Sequence, residues 1–182
     1  LIILNVSRKN KDEDLFKDHI KELTKECFIP IAAGGGIRNV EEARSLLRSG
    51  ADKIIINTPI FTEPDLINSI AKEFGQQCVV ASVDIKKGSN GYNIFIENGE
   101  RVLENSLTEY LYELADLPIG ELYLNSIDRD GTGQGYDDKL LDFLPDDFPV
   151  PVIIAGGAGN YKHFSEGLSK NKVDAVATAH LF

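Results

Sequence analysis

Two segments of this 182-residue chain carry glycines where backbone N–H groups could close on an anion. Gly34-Gly35-Gly36 follows the apolar run Ile29–Ala33, and Ala155-Gly156-Gly157-Ala158-Gly159 follows Pro151–Ile154. A glycine there removes the Cβ that would hold an anion at a distance. One such turn is also consistent with a tight turn alone. Two at corresponding positions point to a pair of phosphate grips, Gly34-Gly35-Gly36 in one and Gly156-Gly157 with its neighbours in the other. Asn57-Thr58, after the next run, adds a carboxamide and a hydroxyl to the first grip. The matching place in the second holds Ala179-His180, whose imidazole either contributes to binding or is simply solvated.

Carboxylates complete the set. Asp84 ends the run Val79-Val80-Ala81-Ser82-Val83, and a carboxylate at a strand end is expensive unless solvated, paired or used. It is read as a proton-transfer group. Lys86 and Lys87 either hold its pKa down or face water. Ser126-Ile127-Asp128-Arg129-Asp130-Gly131-Thr132 is the densest polar cluster in the chain. Asp128 and Arg129 are expected to pair and order this loop, leaving Asp130 and Gly131 to offer a carboxylate and an N–H to a substrate.

These groups need elements that bring them to one end. Strand-like runs at Leu1–Val6, Ile29–Ala33, Lys53–Asn57, Cys78–Val83, Glu121–Ser126, Pro151–Ala155 and Ala175–Ala179 alternate with amphipathic stretches such as Val40–Ser49. That alternation argues βαβ units and a parallel sheet. Helix starts are predicted at Asn39 and near Thr62, with Pro64 in the first turn. Tyr92–Ile96 with Asn98-Gly99 reads as a small inserted hairpin. The segment Ile29–Gly36 also resembles Val150–Gly157. Each copy is followed by a helix, then an aspartate (Asp52, Asp174), then an apolar strand, and Leu4-Asn5 pairs with Leu124-Asn125 ahead of them. A twofold repeat of this kind predicts an α/β (β/α)8 TIM barrel rather than a doubly wound sheet, whose order reverses at a switch point. The reading is a single (β/α) barrel domain over residues 1–182, incomplete at both ends and lacking the first strand and the closing helix. The absence of any methionine, with an apolar strand opening the chain, fits an internal piece of a longer protein.

Composition excludes other classes. The formal charge is −10, hydrophobic residues are 42% and charged residues 26%, a profile of a soluble globular domain. No stretch approaches the ~20 apolar residues of a membrane helix. No basic patch marks a nucleic-acid surface, so nucleic acid and membrane are both excluded as partners. A phosphorylated ligand must then be held by local dipoles. Cys27 and Cys78 are read as reduced, buried thiols of a cytoplasmic protein. His19, His163 and His180 have no metal-ligand spacing, and no cofactor or metal is called for.

On Ala33–Ile37, Gly50–Lys53 with Ile56–Thr58, Ser82–Lys86, Ser126–Thr132 with Gly135–Asp137, and Ala155–Gly159, the chain resembles the cyclase subunit family of imidazole glycerol phosphate synthase along its whole length. The resemblance implies a heterodimer with a glutaminase that supplies ammonia. It also implies a bis-phosphorylated ribulosyl-formimino aminoimidazole carboxamide ribonucleotide as substrate, cyclised and cleaved to imidazole glycerol phosphate and aminoimidazole carboxamide ribonucleotide. Asp84 matches one of two acid–base aspartates, the other lying on the missing first strand. Gly36, Asn57 and Thr58 match one phosphate site. Asp130, Gly131, Gly157, Ala179 and His180 match the other, Asp130 as an essential polar contact near the phosphate. Lys53 and Glu121 match a charged ring through which ammonia enters, and Asp52 matches a contact to the glutaminase.

The chain departs from the family at Leu4-Asn5-Val6-Ser7, where Leu-Asp-Ile-Thr is usual, at His180, where Ser is usual, and along Glu97–Leu117. In Cys27–Pro30, Ser82–Lys87 and Asn125–Asp128 it resembles a paralogous branch found with surface-polysaccharide genes, which implies amidation of a sugar instead. A third reading is a non-catalytic subunit that activates a glutaminase, for which Asp52, Lys53 and Glu121 would matter and Asp84 would not.

Overall fold

Four of the six α-helices among the described residues begin where a short polar side chain takes up a free backbone N–H, and the other two have proline in the first turn. Asp12 accepts from Leu15 N at 2.9 Å and opens α1, Glu13–Glu26. Asn39 accepts from Glu42 N at 2.9 Å while Glu42 accepts back from Arg38 N, a reciprocal capping box at the start of α2, Val40–Arg48. The computed structural model describes residues 1–7, 12–89 and 91–179 in two compact units.

The first unit comprises Leu1–Ala81 and Pro118–Gly120. Its strands are β1 (Ile2–Leu4), β2 (Ala32–Gly34), β3 (Lys53–Ile56) and the first residues of β4 (Val79–Gly88). They pair in parallel and in chain order, Leu4 against Gly34, Gly34 against Ile55, and Ile56 against Ala81. Helices α1 and α2 connect the first three. The short α3 (Thr58–Thr62) and then α4 (Pro64–Phe74) lead to β4. Ile54, Ile55 and Ile56 are buried in succession, as expected of a strand covered on both faces. Ile20 of α1 packs with Ala33 and Ala51 under Ile3 and Phe16. Arg44 of α2 reaches Glu73 of α4 at 2.7 Å and lies over the Phe74 ring.

The second unit comprises Ser82–Leu117 and Glu121–Phe182. Here β4 continues as the partner of β5 (Gly91–Ile96) in an antiparallel hairpin, Asp84 opposite Phe95, and β5 turns again into β6 (Arg101–Val102). Glu97 and Asn98 take positive φ in that second turn. The single predicted hairpin is therefore two, because β4 runs five residues beyond the predicted end at Val83. Helix α5 (Leu107–Ala115) leads to β7 (Glu121–Ser126), which neighbours β4 and pairs in parallel with β8 (Val152–Ala155). Helix α6 (Tyr161–Leu168) leads from β8 to β9 (Ala175–Val176). In neither unit does the strand order double back. This is the connectivity of the α/β (β/α)8 class, as the sequence predicts. No helix among the described residues is long and apolar enough to cross a membrane.

The repeat is visible in hydrogen bonds. Asp52 takes the N–H of Ile31 on its carboxylate at 2.8 Å while its own N–H goes to Ile31 O at 2.8 Å. Asp174 does the same to Val152, at 2.8 and 2.9 Å. Each aspartate thus ties the start of one strand to the start of the previous one. The register corrects one detail. Leu4 lies against Gly34 and Asn125 against Ala155, so the repeat matches Asn5 to Ser126, one residue off the expected pairing with Asn125. Cys78 is buried as expected, but Cys27 is only half-buried, at the end of α1.

Asp52→Ala and Asp174→Ala should each lower unfolding free energy by about 1–3 kcal/mol, the range for losing a charge-assisted bond to a strand N–H. Asp→Asn at the same places keeps an acceptor and should lose less. Urea denaturation of the four variants measures both, and an unchanged Asp174→Ala midpoint would disprove the clip.

Candidate active site

Parallel register decides which residues emerge at the same strand ends. In the first unit Gly34 is level with Ile55, so Gly36 and Asn57 leave neighbouring strands two residues later, at the same end. Thr58 Oγ1 donates to Asn57 Oδ1 at 3.3 Å, and Asn57 stands at the N-terminus of α3. Gly36, Asn57 and Thr58 are therefore brought together as predicted. Lys53 and Asp52 lie at the opposite end of β3, roughly 13 Å away along the strand. Asp52 is already engaged with Ile31.

The second unit gathers the larger group. Along β7, Leu122, Leu124 and Ser126 are buried on one face, while Glu121, Tyr123 and Asn125 alternate with them on the other. Asn125 Nδ2 donates to Asp84 Oδ1 at 2.9 Å across from β4. Asp84 is half-buried. Burial pushes its carboxyl above the ordinary carboxylate range, the Asn125 hydrogen bond pulls it down, and the nearby Asp130 charge pushes it up again. Tyr123 is pushed up to about 12, first by burial and then by the charges of Asp130 and Asp84. Asp84, Asn125, Tyr123 and Asp130 thus form one electrostatic cluster. Glu121 shares their face at the far end of the strand.

Beyond β7 the chain folds tightly on itself. Arg129 N and Asp130 N both donate to Ser126 O, at 3.1 and 3.0 Å, and Thr132 Oγ1 donates to Arg129 O at 2.7 Å. Asp130 and Gly131 project at the exposed tip. Arg129 donates to Gly135 O at 3.2 Å and approaches the buried Asp137 at 3.8 Å, and Tyr92 of β5 donates to Asp137 at 2.8 Å. The expected Asp128–Arg129 pair is not formed. Asp128 instead accepts from Ser126 Oγ at 3.2 Å, because the turn carries the guanidinium toward the buried carboxylate.

The glycine turn after β8 is pressed against this loop. Gly156 and Gly157 have φ of +87° and +105°, and a Cβ on them would strike the Ser126 and Gly135 carbonyls respectively. Gly35 and Gly36 repeat the conformation at +104° and +102°. Gly135 N donates to Gly157 O at 2.7 Å, joining the two loops. Ala177 N donates to Ile154 O at 2.9 Å, which brings Ala179 past the same strand ends. His180 lies outside the described residues. Tyr123 and Asn125 had no assigned role in the sequence; the signal for them was alternation with Glu121 on a strand beside Asp84.

Over residues 1–182 the chain matches the family of histidine biosynthesis proteins. It is 42% identical over 181 residues to a protein of Parasynechococcus marenigrum (strain WH8102) provisionally named imidazole glycerol phosphate synthase subunit hisF2, covering all of this chain and 67% of that one. It is 37% identical to the imidazole glycerol phosphate synthase subunit HisF of Chlorobium chlorochromatii (strain CaD3) and 36% to that of Chlorobaculum tepidum (strain ATCC 49652 / DSM 12025 / NBRC 103806 / TLS), over all of this chain and 72% of each. The chain belongs to this family of histidine biosynthesis proteins, on an α/β (β/α)8 TIM-barrel fold.

The raised proton affinity of folded Asp84 has a signed consequence. Its ionisation costs nothing extra below the unfolded carboxyl range, and the cost is complete once pH has risen through the folded value. Asp84→Asn should therefore melt above the parent at pH 7–8, with the gap closing as pH falls. Thermal melts across pH test this, and a gap that widens in acid would contradict it.

Proposed function

We propose that this chain is the ammonia-using cyclase subunit of imidazole glycerol phosphate synthase. Its substrate is the bis-phosphorylated ribulosyl-formimino aminoimidazole carboxamide ribonucleotide, and its products are imidazole glycerol phosphate and aminoimidazole carboxamide ribonucleotide. The observation that carries the reading is the Asp84–Asn125 pair beside the Ser126–Gly135 loop and the Gly156-Gly157 turn. Ammonia addition, elimination and ring closure each move a proton, and a half-buried carboxylate of raised proton affinity can both take and return one. Gly131, Gly156, Gly157, Ala179 and His180 bind one phosphate, with Asp130 an essential polar contact near it. Gly36, Asn57 and Thr58 bind the other, by neutral donors suited to a chain of charge −10. The reading includes a single barrel domain in the cytoplasm, with a glutaminase as partner. Lys53 and Glu121 line the entry of ammonia and Asp52 stands at the partner surface.

A second reading, amidation of a surface-polysaccharide sugar, is favoured by Asn5 in place of a carboxylate. The two separate by complementation. Rescue of a cyclase-deficient histidine auxotroph supports the first; failure, with loss of a glycan modification on deletion, supports the second.

With ammonium salt and the ribonucleotide, Asp84→Asn should lower kcat by roughly 10²–10⁴-fold with KM little changed, the usual range for removing an acid–base group. Full activity in steady-state assays would remove Asp84 from the mechanism.

A further inference from the structure

We propose that Asn125 is a positioning residue for proton transfer, its carboxamide N–H fixing the Asp84 carboxylate at the ends of β4 and β7. The inference rests on the acid–base role given to Asp84 above. Adjacent strands place the two side chains on one face, and Asn125 is itself half-buried, so the 2.9 Å bond is shielded from competing water. Only the NH2 end of a carboxamide can serve an ionised carboxylate, which fixes its orientation in that state. The C=O end can accept from the protonated acid after a half-turn of the amide. One uncharged side chain can therefore hold Asp84 in both states of an acid–base cycle, and it does not titrate.

The groups acting on Asp84 from β7 and its loop divide by sign. Asp130 repels its ionised form, and Tyr123 is neutral throughout the working range. On its own strand, Lys86 and Lys87 are exposed beyond it, and on β5 its cross-strand partner is the uncharged Phe95. The Asn125 bond opposes burial and Asp130 together, favouring the ionised base.

The test compares the parent with Asn125→Ala and Asn125→Asp. The Asp84 carboxyl is followed by 13C NMR titration, its resonance assigned with Asp84→Asn, alongside the pH profile of kcat/KM. Both replacements should move the Asp84 titration and the acidic limb of the profile to higher pH, Asp further than Ala because it adds a second carboxylate. A one-unit displacement would lower the rate about tenfold below the limb and leave the plateau at high pH largely intact. KM should change little. A titration unmoved in Asn125→Ala, or a loss equal at every pH, overturns the assignment. If the parent does not turn over the ribonucleotide, the cyclase reading fails, and the NMR titration alone still decides whether Asn125 governs Asp84. Should Asn125→Asp not fold, the Ala variant carries the same decision.

Discussion

Parallel strand register is the constraint on which the site depends. A parallel strand projects its loop at the same end as its neighbours, and a slip of one residue turns every side chain to the other face. In this chain the register is pinned twice in the same manner, by Asp52 on Ile31 and by Asp174 on Val152. With Asn125 level with Ala155, the polar face of β7 points Tyr123 and Asn125 toward the side occupied by Asp84. Shifted by one, the same strand would present Leu122 and Leu124 there and bury a carboxamide among helix-facing aliphatics. The glycine turns follow from the same register, because Gly35 crosses Asn5 and Gly156 crosses Ser126 at distances that admit no Cβ.

Charge inside this frame is arranged in two opposite ways. Asp137 is almost fully buried, yet Tyr92 donates to it and Arg129 stands beside it, so it serves to hold the loop after β7. Asp84 is less buried but has an uncharged donor, and Asp130 adds repulsion. A buried carboxylate paired with a cation is settled; one held by a carboxamide keeps a raised proton affinity. The first arrangement holds the loop after β7, and in the second Asp84 keeps a raised proton affinity.

Much of this was legible in the sequence. The bounds of β7 were read without error, since alternation with a preceding Gly and a following polar loop leaves little freedom. The Asn39 cap, both glycine turns and the Asp52/Asp174 repeat were equally plain, because each is a local pattern with one low-energy solution. Contacts decided between distant residues were not. Arg129 had an adjacent carboxylate in Asp128 and one eight residues away in Asp137, and only the fold of the turn selects the second. The extension of β4 past Asp84 depends on β5 pairing with it, so the apolar run alone ended the strand too early. Asn125 stays silent in the sequence because a single carboxamide in a strand carries no local signal until its neighbour is known.

The two glycine turns share backbone conformation and differ in surroundings, and this bears on how the halves of a repeat take on separate work. Gly36 is exposed, whereas Gly157 is buried, its carbonyl taken by Gly135 N. The described residues beside each turn differ as well. Asn5 leads to α1 with its side chain folded onto Ser7 N, while Ser126 leads into a loop that accepts two N–H groups on one carbonyl and returns to cover Gly157. Turns of one backbone conformation are thus left exposed at Gly36 and covered at Gly157 by the Ser126–Gly135 loop. The charge of Asp130, exposed at the tip of that loop, reaches Asp84. Asymmetry in the loops, imposed on repeated strands and turns, gives the two glycine turns different surroundings.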